Sequence, residues 1–507
     1  MRSAGTGRVL EMVGARTKVV VTDLQGGQKP GWGSGRARVS GAMLAPMPES
    51  IVSPIDGQVA YEFEYLDEKA AFAAVEQAHV AQGQWRSTSV EERARLCLDM
   101  LTAFEANLDQ YTREISTMMG KPLAEAQGEA RTMRGRVEAL IQLAPAALAD
   151  ELLPELQGLR RVIRHEPVGV VLDIAAWNYP LVVPINVVAA AVLAGDAVLI
   201  KHSPQTALCG RQLAQSFATA GAPNGLVTDF MCTHETVARV LDGRRVNHVS
   251  FTGSVRGGHE VYRAAAARSF AGVALELGGK DPALVLPDCD FEFTVPNLVE
   301  GAFYNAGQSC CAVERIYVHE EIFERFVEAY VAETYALKLG DPLAEGTTLG
   351  PVVDARAAER VGRQVRDAIA AGARPLIDAS RFEVPDRSPC YLAPQVLVDV
   401  DHSMAVMRDE TFGPAIGLIK VRDHAHAVEL MNDSPYGLTA SIWSRDDERV
   451  EQLADALDAG TVFQNRCDFL DPELPWVGVK DSGHGVSLSH LGLRSLTRPK
   501  SLHFRRR

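Results

Sequence analysis

A chain of 507 residues is too long for one hydrophobic core and predicts two or three cooperating units. With 47% hydrophobic and 23% charged residues and no low-complexity tract, it reads as an ordinary globular protein. A net charge of −14 argues against a nucleic-acid partner, because affinity for a phosphate backbone rests on Lys and Arg.

Residues 1–42 hold Arg2, Arg8, Arg16, Lys18, Lys29, Arg36 and Arg38 against only Glu11 and Asp23, around "GGQKPGWGSG". A disordered tail is expected there. It lacks the apolar core of a secretory signal, hints only weakly at organelle targeting, and is equally explained by translation starting at Met43. The text becomes regular from about Ala45. "SVEERARLCLDMLTAFEANLDQYTREISTMMGKP" opens with Ser89 and Glu92 in capping-box spacing, carries Leu98, Leu101, Phe104, Leu108, Tyr111 and Ile115 at helical intervals, and stops at Gly120 and Pro122.

Three short apolar runs follow, 168–174, 196–203 and 246–254, each leading into an Ala-rich helical segment. That alternation predicts a parallel sheet with crossover helices, whose strand carboxyl ends face a ligand crevice. The residues to inspect are therefore "AAWNYP", "KHSPQT" and "FTGSVRGG". The longest apolar stretch, "LVVPINVVAAAVLAG", is broken by Pro184, Asn186 and Gly195 and reads as a core helix, so no membrane partner is expected. A second alternating region runs from "DPALVLPD" (281–288) through "GLIKV" to "GTVFQN" (460–465). The basic "GLRRVIRHEPVG" (158–169) and the tail after Leu488 fit neither unit and are expected to pair as strands at an oligomer edge.

The eight cysteines (97, 209, 232, 289, 310, 311, 390, 467) match neither a disulfide framework nor a zinc pair; a reducing cytoplasm and no metal are expected. Cys310 and Cys311 stand side by side in "YNAGQSCCAVER". A free cysteine is by itself more often packing than chemistry. Here "ELGGK" (276–280) lies 34 residues upstream, with "FTGS" before it.

From about 45 to 500 the chain resembles the aldehyde dehydrogenase superfamily, carrying its motifs in order: "WNYP" (177–180), Lys201 with Ser203, "FTGS" with Gly258, "LELGGK" (275–280), "NAGQSC" (305–310), "ETFGP" (410–414), "NDSPYGLTA" (432–440), "GTVFQN" and "GVKDSGHG" (478–485). The resemblance implies an α/β fold: a Rossmann-type cofactor domain (45–150 and 169–279), a second α/β catalytic domain (280–470) and a small β oligomerisation element (151–168 and 486–507). It also implies NAD or NADP as cofactor, a small-molecule aldehyde as substrate, and a homodimer or homotetramer.

Oxidising an aldehyde by hydride loss needs a tetrahedral alkoxide, which a thiolate makes by adding to the carbonyl. The resemblance assigns this to Cys310, with Cys311 as its packed neighbour. It assigns the oxyanion to the Asn178 amide and the Cys310 backbone N–H, where one lost donor costs ~3 kcal/mol. Glu276 matches the general base that activates water to hydrolyse the thioester. Relatives that pass the acyl group to coenzyme A generally lack this carboxylate, so a free acid is the expected product. For the cofactor, the resemblance assigns Ala176, Trp177, Lys201, Ser203, Gly225, Gly253, Ser254, Gly258 and Leu277, with Glu410 on the nicotinamide ribose and Phe412 against the ring. The substrate pocket would draw on Tyr179, Asn186, Ser309, Asp468 and Trp476.

Departures from the pattern carry information. The family often has a proline where Ala176 stands, with little consequence expected. Three residues after Lys201, many NAD-preferring relatives place a glutamate; here it is Pro204, so a 2′-phosphate is not repelled and Lys201 with His202 could welcome it. NAD and NADP both stay open. Tyr179 and Trp476 are aromatic as in relatives acting on amino- or trimethylammonium-aldehydes, where cation–π contact is the physical reason. Asp468, Asp471 and Glu473 would add negative potential, but a third aromatic of that cage is replaced by Asn186. Small aliphatic or aromatic aldehydes are close rivals. No obvious arginine pair for a dicarboxylic semialdehyde is evident, although Arg315 and Arg466 lie near the motifs. A non-catalytic structural member, and an acyl-transferring enzyme without a redox step, are the alternatives.

Overall fold

The computed structural model describes residues 48–154, 156–267 and 269–505; the basic segment 1–42 lies outside the described residues. The capping box forms as the spacing predicts: Glu92 N donates to Ser89 Oγ at 3.2 Å and Ser89 N to Glu92 Oε2 at 2.8 Å. The single helix expected beyond it is two, Val90–Glu105 and Leu108–Met119. Asn107 leaves helical geometry between them, and Phe104 and Tyr111 pack ring to ring across the break at 5.0 Å. Tertiary packing thus overrides a continuous helical period. The second helix ends at Gly120 in the left-handed region (φ 84°), where a Cβ would meet the Pro351 carbonyl.

The three apolar runs become strands Val170–Ile174, Ala197–Lys201 and His248–Thr252, joined by Val227–Asp229 and Gly272–Glu276 in one parallel array. Leu172 faces Leu199 on one side and Val249 on the other. Val170–Ile174 and Ala197–Lys201 are buried along their whole length, as parallel strands covered on both faces must be. Strand order reverses between Val170–Ile174 and His248–Thr252, since one neighbour continues to Ala197–Lys201 and the other to Gly272–Glu276. A sheet of this kind opens a crevice at such a switch point, here flanked by residues 175–180 and 253–258. The short strand Gly483–His484 closes the far edge, antiparallel to Gly272–Glu276.

A second sheet has seven strands in the order Arg374–Pro375, Gln395–Val398, Ala415–Val421, Val313–His319, Asp281–Val285, Thr439–Trp443, Thr461–Gln464, all parallel except the first pair. The apolar stretch after the WNYP motif is the core helix Val182–Ala194, packed against the long helix Leu123–Ala147 and ended by Gly195. Among the described residues no helix is long and apolar enough to cross a membrane. Leu159–Pro167 and Thr497–Arg505 pair antiparallel over nine positions, Thr497 opposite Pro167 and Arg505 opposite Leu159, with Glu151–Leu152 on the other side.

Candidate active site

The turn before the two cysteines is forced into an unusual path. Asn305, Ala306 and Gly307 all take positive φ (52°, 55° and 70°), a conformation costing about 1–2 kcal/mol at each non-glycine residue. Hydrogen bonds hold it there. Asn305 Nδ2 donates to Asn178 O and to Gln308 O, both at 3.1 Å; Gln308 Nε2 donates to Asn305 O at 3.0 Å; Val353 N donates to Gln308 Oε1 at 2.7 Å. Glu125 adds its Oε2 as acceptor for Asn305 N at 3.0 Å. Asn178, buried, donates through Nδ2 to Gln308 O at 3.2 Å, so its amide lies beside the cysteine backbone. The structure thus ties Asn178 to the turn that carries Cys310, through a carbonyl two residues before the cysteine.

Cys310 is half-buried and lines a cavity of about 400 Å³. Cys311 is buried, packed with Leu438, Trp476 and Leu488, yet its sulfur also reaches the cavity and donates to Asp468 Oδ1 at 3.0 Å. Ser309 Oγ donates to the same oxygen at 2.8 Å. The Cys311 thiol is held well above the usual range by its hydrogen bond with Cys310, by burial and by the Asp468 charge, so it stays protonated. Both cysteines line the cavity, but Cys310 is the more exposed of the two.

Tyr179, Asn186, Ser309 and Asp468 line the cavity, as expected; Trp476 does not. Its ring is spent on the apolar cluster with Cys311, and its backbone pairs with Ser487. The Tyr179 ring is occupied as well, with Lys121 Nζ 4.0 Å from its centroid. The two aromatic groups expected to greet a cationic substrate are thus engaged inside the fold. Arg315 is also corrected: it is buried, donating to the carbonyls of Lys280 (2.8 Å) and Met431 (3.1 Å), whereas Arg466 does line the cavity.

Glu276 ends strand Gly272–Glu276 and lines a neighbouring small cavity rather than the large one; Asn186 borders both. Ser487 Oγ donates to Glu276 Oε1 at 2.9 Å, while Oε2 has no partner. Burial pushes this carboxyl up to about 8, against the hydrogen bonds from Ser487 and Trp476, which lower it. A carboxyl in that range is poised to exchange a proton near neutral pH.

The other side of the crevice is built at the switch point. Ala176 and Trp177 follow strand Val170–Ile174, and Trp177 meets Phe412 edge-on at 5.5 Å. Gly253 and Ser254 follow His248–Thr252; Ser254 caps helix Val255–Ala266, accepting from Gly257 N at 3.2 Å, and Gly258 lies against Leu277. The start of this helix points backbone N–H groups outward, as an anion site needs. Glu410 accepts from Gly279 N at 3.1 Å, and a Cβ on Gly278 would collide with its carboxylate. Lys280 donates to Glu314 (2.6 Å) and Thr411 (2.8 Å), and Glu314 accepts from the backbone of Thr411 and Phe412 at 2.8 Å each. The lysine of the LELGGK motif therefore fixes the turn that carries Glu410 and Phe412.

Lys201 is buried at the end of Ala197–Lys201 without an ion pair among the described residues, and Ser203 precedes the short turn Pro204–Thr206. His202 departs from expectation. Its ring is buried between Pro180 O (3.0 Å) and Thr206 Oγ1 (3.0 Å), and burial lowers it to about 4, so it stays neutral and cannot greet a phosphate. Gly225 lies toward the far edge of the sheet, before Val227–Asp229, with its Cα against Gln77. Among the described residues, no group of three or more His, Cys, Asp or Glu side chains could hold a metal ion.

Sequence reading missed the helix Leu123–Ala147. Glu125, Glu129, Thr132 and Arg136 recur at i, i+4, i+7 and i+11, one stripe turned toward the catalytic turn and the cavity. Glu129 pairs with Lys121 and caps helix Val182–Ala194 by accepting from Leu181 N (2.7 Å) and Val182 N (3.2 Å). The stripe itself was legible, but not what it faces. Ser487 was missed because nothing nearby in sequence marks it as a neighbour of Glu276.

Comparison with known proteins agrees with this architecture. The family model described as "Aldehyde dehydrogenase family" matches residues 46–502. The chain is 33% identical over 458 residues to succinate-semialdehyde dehydrogenase [NADP(+)] 1 of Mycobacterium tuberculosis, covering 90% of this chain and 99% of the relative. It is 35% identical over 410 residues to a succinate semialdehyde dehydrogenase [NAD(P)+] of Escherichia coli, covering 81% and 87%. Among solved structures, a succinate-semialdehyde dehydrogenase from Burkholderia pseudomallei superposes with a TM-score of 0.87 at 29% identity, covering 90% of this chain and 95% of that one. The chain therefore belongs to the aldehyde dehydrogenase family and is an NAD(P)-dependent oxidoreductase of the aldehyde group.

Proposed function

We propose that Cys310, Asn178 and Glu276 carry the oxidation of an aldehyde to its carboxylic acid. The observation that carries the reading is Cys310, half-exposed on a cavity of about 400 Å³, with the Asn178 amide 3.2 Å from the Gln308 carbonyl two residues before it. Cys310 adds to the carbonyl as thiolate, and the Asn178 amide with the Cys310 backbone N–H receives the resulting oxyanion. A dinucleotide, when bound, supplies the hydride acceptor. Its fit is supported by the capped helix start at Ser254, the unpaired ammonium of Lys201, and Glu410 and Phe412 held by Lys280 through Glu314. Glu276 then takes the proton of the water that cleaves the thioester, turning its carboxylate from the small cavity toward Cys310.

NADP⁺ use is supported by Pro204 in place of an acid and by Lys201, whose charge also depresses the neighbouring His234. The substrate reading moves away from cationic aldehydes, because Trp476 packs in an apolar cluster and the Tyr179 ring already faces Lys121, and toward a semialdehyde, as the names of the curated relatives suggest. The domain roles follow the sheets: cofactor on residues 45–150 and 169–279, catalysis on 280–470. The paired strands of 151–168 and 486–507 serve assembly into a dimer or tetramer. All eight cysteines are free, which suits a reducing cytoplasm.

The test is reduced-dinucleotide formation at 340 nm with NAD⁺ and NADP⁺ across aliphatic, aromatic, amino- and carboxy-aldehydes. Cys310→Ala is expected to abolish turnover and Cys311→Ala to retain most of it. The reverse pattern would overturn the assignment of the nucleophile.

A further inference from the structure

Six lysine and arginine side chains are buried among the described residues: Arg93, Lys121, Arg136, Lys201, Lys280 and Arg315. A buried cation is costly unless it is paired or bonded. Four meet that demand inside the fold. Lys121 pairs with Glu129 and Lys280 with Glu314, while Arg93 and Arg315 donate to backbone carbonyls. The two exceptions both lie at a ligand crevice. Lys201 is on the dinucleotide side; Arg136 lines the cavity of Cys310.

We infer that Arg136 is the anion anchor of this cavity and that the aldehyde taken by this chain carries a carboxylate. The inference deepens the proposed function and rests on Cys310 as the reacting cysteine. Arg136 is only 5% exposed, and among the described residues its one hydrogen bond is Nη1 to Asn186 Oδ1 at 3.3 Å. Four of its five N–H donors are left over, in the planar fork that matches a carboxylate in bidentate fashion. Burial lowers this guanidinium to about 10, and it remains charged at neutral pH.

Asp471, exposed, favours the charged guanidinium from a distance but makes no ion pair or hydrogen bond with it among the described residues, and the acids that line the cavity do not serve it. Glu129 is committed to Lys121 and to the backbone N–H groups of Leu181 and Val182. Asp468 is committed to Ser309 and Cys311, from both of which it accepts, and burial raises its carboxyl above the usual range. Glu300 is exposed at the rim. Arg466, with its guanidinium 3.2 Å from the Phe469 ring centroid, adds a second positive charge on the exposed side. Asn186, which replaces an aromatic position of the cationic-aldehyde pattern, thus orients a cation instead.

The experiment compares 4-oxobutanoate with butanal, a pair of equal chain length differing in the terminal carboxylate, in the wild-type enzyme, Arg136→Met and Arg136→Lys. Wild type is expected to favour 4-oxobutanoate. Arg136→Met is expected to lower kcat/KM for 4-oxobutanoate about 100-fold while changing butanal less than about threefold, the size expected for removing one partner of a buried charge pair. Arg136→Lys should fall between. Equal losses for both aldehydes, or a wild type indifferent to the carboxylate, would overturn the anchor. A measurement without turnover separates the two readings: succinate should raise the Tm of wild type and not that of Arg136→Met. If succinate stabilises wild type in that way but neither aldehyde is oxidised, the anchor stands and the catalytic reading falls.

Discussion

The protonation of Glu276 is set by its burial against two hydrogen-bond donors, the Ser487 hydroxyl and Trp476. In the proposed mechanism Glu276 works in its ionised form, and with its value pushed up to about 8 that form accumulates as pH rises through the range of about 7–9. The rate of acid formation should rise over the same range wherever hydrolysis limits turnover. Ser487 donates to Glu276 Oε1 and favours the charged form, so Ser487→Ala should move the inflection up by about one pH unit. A pH profile of kcat for both proteins under hydrolysis-limited turnover checks this; an inflection that stays put or moves down would remove Ser487 from the mechanism. Ser487 comes from the strand-poor end of the chain, 211 residues from Glu276. No local pattern in either stretch announces that meeting, whereas Cys310, Asn178 and Glu276 each sit in a short motif and could be named from the sequence.

At the scale of elements, motifs were readable where they encode local backbone demands. Gly120 after a helical run, the Ser89–Glu92 spacing and the three β-rich runs all did so, and the sheet formed at those runs. Reading failed where a partner element decides. The expected single helix breaks at Asn107 because both Phe104 and Tyr111 pack inward, and Trp476 turned toward a core that hydropathy alone could not locate. The buried Lys280–Glu314 pair shows what one motif residue does for a distant turn. Lys280→Met would leave Glu314 buried without its cation, at a cost of about 3 kcal/mol, the lower end for breaking such a pair. Loosening the Glu410–Phe412 turn should also raise KM for the dinucleotide. Urea unfolding and cofactor titration measure the two effects. A fully stable variant with unchanged KM would show that the turn holds itself.

For the whole molecule, the small antiparallel sheet is the outlying feature. Thr497–Arg505 is an edge strand, and an open edge of this length invites pairing with another chain unless it is covered. Leu152 (73% exposed) and Phe504 (48% exposed) add apolar surface to the same sheet. Light scattering is expected to give a dimer or tetramer, and Leu152→Asp with Phe504→Asp to dissociate it. A wild-type monomer would sink the assembly role of this sheet.

The sequence by itself determined the family and the parallel α/β plan and named the three residues proposed to react, because each rests on a few adjacent residues whose backbone and chemical demands are local. It could also say that Pro204 removes an acid from the cofactor side. Only the tertiary structure decided which side chains see the substrate. Arg136 lies 174 positions before Cys310, on a helix whose polar stripe looks like any solvated face until the fold buries it at the cavity that Cys310 also lines. Burial then makes that unpaired charge expensive, and cost of this kind, a property of the assembled interior, is what turns an ordinary arginine into a candidate for reading substrate.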